Sequence, residues 1–225
     1  MLGNTVKTKV VFVDIDHTLY VSDPFRIAWC ALIRGRFIDR VLLLKSFILS
    51  PMCLLLYKCS GLKAMSWLLL RIYRGHPLES IRHFFEQIYT PSPIPEAIAK
   101  IHQHKDRNHH ICSITASPTM YFEKKMKDLG VDEIFGIDFE TKDGIVVRPV
   151  RCIDGDEKVK IAQSVLRRLG IGWEDAYFYT DSYRDLPLLE KVAHPVMVRP
   201  DRKLLKIGST RGYTVLKKLD MNSTC

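Results

Sequence analysis

No two cysteines in this chain form a Cys-x-x-Cys pair, and neither a zinc-finger spacing nor a Gly-aromatic RNA signature occurs. The six cysteines (Cys30, Cys53, Cys59, Cys112, Cys152 and Cys225) are therefore read as reduced thiols, three of them in apolar surroundings where a thiol behaves as a small hydrophobe. That points to a reducing compartment. Internal repeats and low-complexity tracts are missing as well. From Met1 to the first strand run about eight polar and small residues, with no apolar run ahead of a cleavage site, so no secretory signal is expected. The cytosol, or the cytoplasmic face of a membrane, is the expected location.

What the chain does have is enough apolar material for a core. With 225 residues, 47% hydrophobic and 26% charged, it can bury one substantial core and a second small one. A net charge of +9 suits nucleic acid, anionic lipid or a phosphorylated substrate alike. Its distribution is regional: Val21 to Thr90 holds ten Lys and Arg against four Asp and Glu. The same region, from Pro24 to about Tyr89, reads as helical and unusually apolar, with Val41 to Leu44, Phe47 to Leu49, Met52 to Tyr57 and Trp67 to Leu70 crowding more than one helix face. Pro51 interrupts it. Even unbroken, Val41 to Tyr57 would make a helix of roughly 25 Å, short of the roughly 30 Å hydrocarbon core, so a full membrane span is not expected.

Beyond this region strands and helices alternate. Thr90 to Pro95, with three prolines, reads as a stiff extended return. A helix is expected from Glu96 to about His104, then a strand from His110 to Thr115. Ser117-Pro118 reads as the N-cap of a helix running to Leu129 and stopped by Gly130, the alternative being that Ser117 holds a phosphoryl oxygen in place of Thr115. Residues 135 to 152 read as a hairpin turning at Lys142-Asp143-Gly144. A helix from Glu157 to Leu169 is closed by Gly170, and strands follow at Ala176 to Tyr179, Pro195 to Val198 and Tyr213 to Leu216. This order predicts a parallel sheet covered on both sides by helices. His102, His104, His109 and His110 are read as a solvated helix end and loop rather than a metal cluster.

The stretch from Val10 to Tyr20 organises the rest. Four apolar residues, Val10 to Val13, form a strand buried on both faces, and it runs straight into Asp14 and Asp16. Two residues apart, these carboxylates project to one side of an extended chain, into the crevice where open α/β sheets bind ligands. A metal and phosphate site is the functional reading; an Asx-turn is the bland one. Three later features supply partners: Thr115 at a strand end, Lys158 at a helix start where the dipole disfavours a cation unless an anion compensates, and Asp181 with Asp185 in Asp-Ser-x-x-Asp-Leu-Pro.

Asp-x-Asp-x-Thr after an apolar strand, followed in order by Thr115, Lys158 and the Asp181 to Pro187 run, resembles the four motifs of the haloacid dehalogenase superfamily of phosphohydrolases. The resemblance implies a Rossmann-like parallel sheet with an inserted helical C1-type cap, the core being residues 1–21 and 91–225 and the cap 22–90. It implies Asp14 as nucleophile, Asp16 as acid and base, and Thr115 and Lys158 on the phosphate. Mg²⁺ would be held by Asp14, the backbone carbonyl of Asp16 and Asp181, with Asp185 behind them or holding Lys158. Lys160 competes with Lys158 for its place. Two positions depart from the pattern: His17 and Arg184 stand where glycine and asparagine are frequent.

Within the superfamily the chain looks most like subfamily IB, which includes phosphoserine phosphatase. Its apolar, basic cap is closer in character to phosphatidylglycerophosphatase C. The expected substrate is therefore a phosphomonoester, with a phospholipid head-group phosphate as first choice and a small soluble phosphate ester as the alternative. Arg34, Arg36, Arg40, Lys45, Arg71 and Arg74 would let the cap rest on an anionic membrane surface. Nucleic acid is not an expected partner.

Overall fold

Val10–Val13 is buried without exception, as its unbroken apolar run requires, and it lies at the centre of the molecule. The computed structural model describes residues 8–21, 73–88 and 90–216. In chain order the elements are β1 (Val10–Val13), β2 (Tyr20–Val21), α1 (Leu78–Ile88), β3 (Ser92–Pro93), α2 (Pro95–Asp106), β4 (His110–Pro118), α3 (Glu123–Leu129), β5 (Glu133–Ile137), β6 (Phe139–Lys142), β7 (Ile145–Pro149), α4 (Gly155–Leu169), β8 (Ala176–Thr180), α5 (Leu186–Leu189), β9 (His194–Val198), α6 (Arg202–Thr210) and β10 (Thr214–Leu216).

Six strands form one parallel sheet in the order β10-β9-β8-β1-β4-β5. The chain builds outward from β1 through β4 to β5, then returns to β8 on the other flank. That reversal puts the topological switch point at the carboxyl end of β1, where such sheets hold ligands.

Alternation along β1 divides the core. Val11 and Val13 pack with Phe85, Ala97, Ile101, Met126 and Leu129 from α1, α2 and α3. Val10 and Phe12 pack with Ile161, Ala162, Val165, Leu188 and Leu204 from α4, α5 and α6. Each fully buried side chain of this kind contributes about 1.5–3 kcal/mol relative to exposure.

Local chemistry sets the ends of the helices. Asp154 caps α4 by accepting from the Glu157 N–H at 2.9 Å, and Asp201 caps α6 from two N–H groups. Gly130 and Gly170 stop α3 and α4 at φ of 77° and 66°, a left-handed conformation that costs glycine nothing.

Two sequence expectations need correction here. Ser117 is not a helix cap: β4 runs on through Pro118, a 3₁₀ turn covers Thr119–Tyr121, and α3 begins only at Glu123. The serine hydroxyl has a carboxylate to bond, a stronger acceptor partner than a helix N–H would be a donor. The hairpin is also shorter than 135 to 152. It comprises β6 and β7, while Ile137 belongs to β5, where pairing with β4 gives its side chain a core to enter.

The expected cap falls largely on residues 22–72, outside the described residues. Of that range residues 73–88 and 90 are described: the Gly75 N–H donates to Val146 O at 2.8 Å, the Val146 N–H to His76 O at 2.9 Å and the Leu78 N–H to Gly144 O at 2.9 Å. Helix α1 thereby docks on the β6–β7 hairpin. Among the described residues no helix is long and apolar enough to cross a membrane.

Candidate active site

Three neighbouring strands deliver the polar groups to one edge of the sheet. Asp14 follows β1, Thr115 and Ser117 lie in the last residues of β4, and Asp181 follows β8. The Asp14 N–H is tied to Tyr179 O at 2.9 Å, extending the β1–β8 pairing to the carboxylate itself.

Lys158 reaches this edge from early in α4. Its Nζ donates to Asp14 Oδ1 and to Asp185 Oδ2, both at 2.8 Å, and the lysine side chain is 3% exposed. Lys160, by contrast, is exposed and pairs with Glu157. Gly155 makes the approach of α4 possible, since a Cβ there would lie 2.3 Å from the Arg184 carbonyl oxygen and 3.2 Å from the Pro187 ring. Thr180 completes the ammonium's setting by donating its hydroxyl to Asp185 Oδ2 at 2.7 Å.

Asp16 faces the end of β4. Its Oδ2 accepts from Ser117 Oγ at 2.6 Å and from Thr115 Oγ1 at 3.3 Å, and Thr115 Oγ1 in turn accepts from the Ser117 N–H at 3.1 Å. Asp181 is held by Thr18, which donates to Oδ1 at 3.1 Å and accepts from the Asp181 N–H at 3.0 Å. His17 sits between these carboxylates in sequence with φ of 56°, a left-handed conformation. The frequent glycine of the resembled pattern fits that backbone without strain.

Electrostatically the edge carries more negative charge than Lys158 alone offsets. Burial pushes the Asp14 carboxyl well above its usual range, and Asp185, Asp181 and Asp16 add to this against the pull of Lys158. Asp181 is pushed up to about 6, mainly by burial, with Thr18 and His17 opposing. Lys158 is held firmly charged: burial works against it, but Asp14 and Asp185 outweigh that and raise its pKa.

Crowded carboxylates whose ionisation is resisted, together with a backbone carbonyl, are the oxygen donors that a hard divalent cation neutralises. Asp14, Asp181 and the carbonyl of Asp16 fit such an ion. The hydroxyls of Thr115 and Ser117 and the Lys158 ammonium are suited to phosphoryl oxygens.

All six residues expected from sequence thus lie on one edge. Ser117, Thr18, Thr180 and Gly155 were not assigned these contacts by sequence reasoning. Thr18 and Thr180 carried a usable signal, each being a hydroxyl beside a motif aspartate. The histidine expectation fails for three of four residues: His104, His109 and His110 are buried, and only His102 is exposed. His104 Nδ1 meets His109 Nδ1 at 2.8 Å, and His104 Nε2 meets the Tyr179 hydroxyl at 2.7 Å. Partners within the fold let these rings leave water.

The family pattern described as haloacid dehalogenase-like hydrolase matches residues 11–190. A Mycobacterium tuberculosis protein named a probable phosphatase is 30% identical over 138 residues, covering 60% of this chain and 48% of that one. The chain spans about half the length of the curated relatives it first matches. A protein of unknown function from Bordetella pertussis Tohama I superposes with a TM-score of 0.79 at 22% identity, covering 95% of this chain and all of its own. A substrate-bound phosphoserine phosphatase complex superposes with a TM-score of 0.67 at 15% identity, covering 94% of each chain. These two likenesses concern the fold.

Proposed function

The chain belongs to the haloacid dehalogenase-like hydrolase family, and from that premise we propose that it is a phosphomonoester hydrolase with Asp14 as nucleophile. The observation that carries this reading is the buried Lys158 ammonium, 2.8 Å from both Asp14 and Asp185, on the sheet edge where Ser117 donates to Asp16.

Asp14 attacks phosphorus, the bond to the leaving oxygen breaks, and Asp16 gives that oxygen its proton. An aspartyl-phosphate results. Asp16 then takes a proton from water, whose oxygen attacks the same phosphorus and frees Asp14 and inorganic phosphate. Lys158 and Thr115 hold the transferring group's oxygens, and Lys158 with Asp185 fixes the Asp14 rotamer. A hard divalent ion such as Mg²⁺, held by Asp14, the Asp16 carbonyl and Asp181, would screen nucleophile and phosphate from each other.

Residues 22–90 are proposed as an inserted helical cap that reads the leaving group. Two substrate classes fit. The phosphoserine phosphatase likeness supports a small soluble ester. The basic and apolar composition between Val21 and Thr90 supports a phospholipid head-group phosphate presented at an anionic surface.

The test is phosphate release from a panel of soluble phosphomonoesters and from phosphatidylglycerophosphate in mixed micelles, with and without chelator. Parent protein with Mg²⁺ is expected to release phosphate, and chelator or Asp14→Asn to reduce release to background while the far-UV spectrum stays unchanged. Turnover retained in Asp14→Asn would remove the assignment. Preference for the lipid or for a soluble ester decides the substrate class.

A further inference from the structure

At the opposite end of the sheet, His110, Cys112 and Glu133 bring one nitrogen, one sulfur and one oxygen within 4.8 Å of one another. The placement follows from the strands. His110 and Cys112 are two residues apart on β4 and so share a face, and Glu133 of β5 stands in register opposite Cys112. His110 Nε2 lies 2.6 Å from Glu133 Oε1, and Cys112 Sγ lies 3.7 Å from the same oxygen. Cys112 is fully buried and His110 is 9% exposed. The cluster sits against the apolar face covered by α4, level with Val10 and Phe12 at the start of β1, so it is separate from the Asp14 edge.

We propose that His110, Cys112 and Glu133 form a second metal site, for a borderline divalent ion of the Zn²⁺ class. The donor set makes the choice. Thiolate and imidazole with one carboxylate oxygen suit Zn²⁺, whereas Mg²⁺ avoids sulfur. Atoms all within 4.8 Å of one another, with Glu133 Oε1 at 2.6 and 3.7 Å from the nitrogen and the sulfur, need only small movements to surround one ion. Arg168 donates to both Glu133 oxygens at 2.6 Å; it keeps Oε2 when the ion takes Oε1. Asp132 Oδ2 lies 3.6 Å from His110 Nδ1, on the ring's other side. It favours the proton on Nδ1, leaving Nε2 free to ligate.

Binding forms bonds from Sγ, Nε2 and Oε1 to the ion. The thiol proton leaves to solvent, and the Nε2 proton moves to Nδ1. No oxidation state changes. Because binding releases the thiol proton, metal uptake weakens as pH falls. Once bound, the ion fastens β5 to β4 beneath α4 and stabilises the fold by mass action.

Co²⁺, which reports thiolate ligation through a sulfur-to-cobalt charge-transfer band, is the probe. Titrated into the reduced, metal-stripped full chain, it is expected to give that band at one equivalent, and Zn²⁺ is expected to bleach it. Cys112→Ser should abolish the band; Cys152→Ser and Asp14→Asn should leave it intact. No band in the parent, or a band that survives Cys112→Ser, overturns the proposal. Should Cys112→Ser fail to fold, His110→Gln keeps the test decisive: a Co²⁺ affinity loss of about tenfold or more supports the site, and unchanged affinity overturns it.

Discussion

The two ends of this sheet both set carboxylates against cations and treat them in opposite ways. At the amino end, burial works against the ionisation of Glu133, yet Arg168 and His110 hold its carboxyl below the usual value. At the carboxyl end, Asp14 and Asp181 are pushed upward despite Lys158 and Thr18. One end is internally balanced; the other is left short of positive charge. Packing alone gives no reason to keep such an excess, and it supports the hard divalent cation and phosphate proposed for that end, whereas the ion proposed at the amino end rests on its nitrogen, sulfur and oxygen donor set.

That contrast can be broken by removing the cation at each end. Lys158→Met leaves Asp14 and Asp185 buried without their ammonium and should cost about 3–5 kcal/mol in urea unfolding, together with phosphate release. Arg168→Gln removes a largely exposed partner and should cost no more than about 1 kcal/mol in the same measurement. Equal losses would show the two ends to be alike.

Ser117→Ala sharpens the comparison within the site. The hydroxyl bonds a carboxylate at 2.6 Å, and its loss should lower kcat by about ten- to a hundredfold while the unfolding midpoint changes little. An unchanged kcat would leave Ser117 a purely structural neighbour of Asp16.

Acid separates the ends by sign. Asp181 has a folded pKa of about 6 against an ordinary 3.8, so its folded form binds more protons between those values. It therefore favours the metal-free fold increasingly as pH falls through about 6, and Asp181→Asn should stabilise that protein at pH 8 but not at pH 4. His104 is displaced the other way, to about 4 from 6.5, chiefly by burial. Its unfolded form binds the extra proton, so stability is lost as pH falls from about 6.5 toward 4, and His104→Gln should remove that loss in a Tm profile.

Much of this was legible in sequence, and the limits have physical causes. The β1 run, the stops at Gly130 and Gly170, and the Asp14, Lys158 and Asp181 positions all follow from local rules that tertiary packing reinforces. Ser117 was misread because Ser-Pro is equally an N-cap signal and a strand end; only the position of Asp16, 101 residues earlier, decides between them. The buried histidines were misread for the same reason, since the Tyr179 hydroxyl that satisfies His104 comes from another strand. Gly155 looks like an ordinary first-turn residue until the Arg184 carbonyl is placed against it.

The docking of α1 on the β6–β7 hairpin has a consequence for exchange kinetics. Three main-chain bonds, donated by Gly75, Leu78 and Val146, tie that junction within a few residues of one another. In native-state hydrogen–deuterium exchange the three should open together as one cooperative unit, with a shared protection factor set by the junction rather than by helix or hairpin alone.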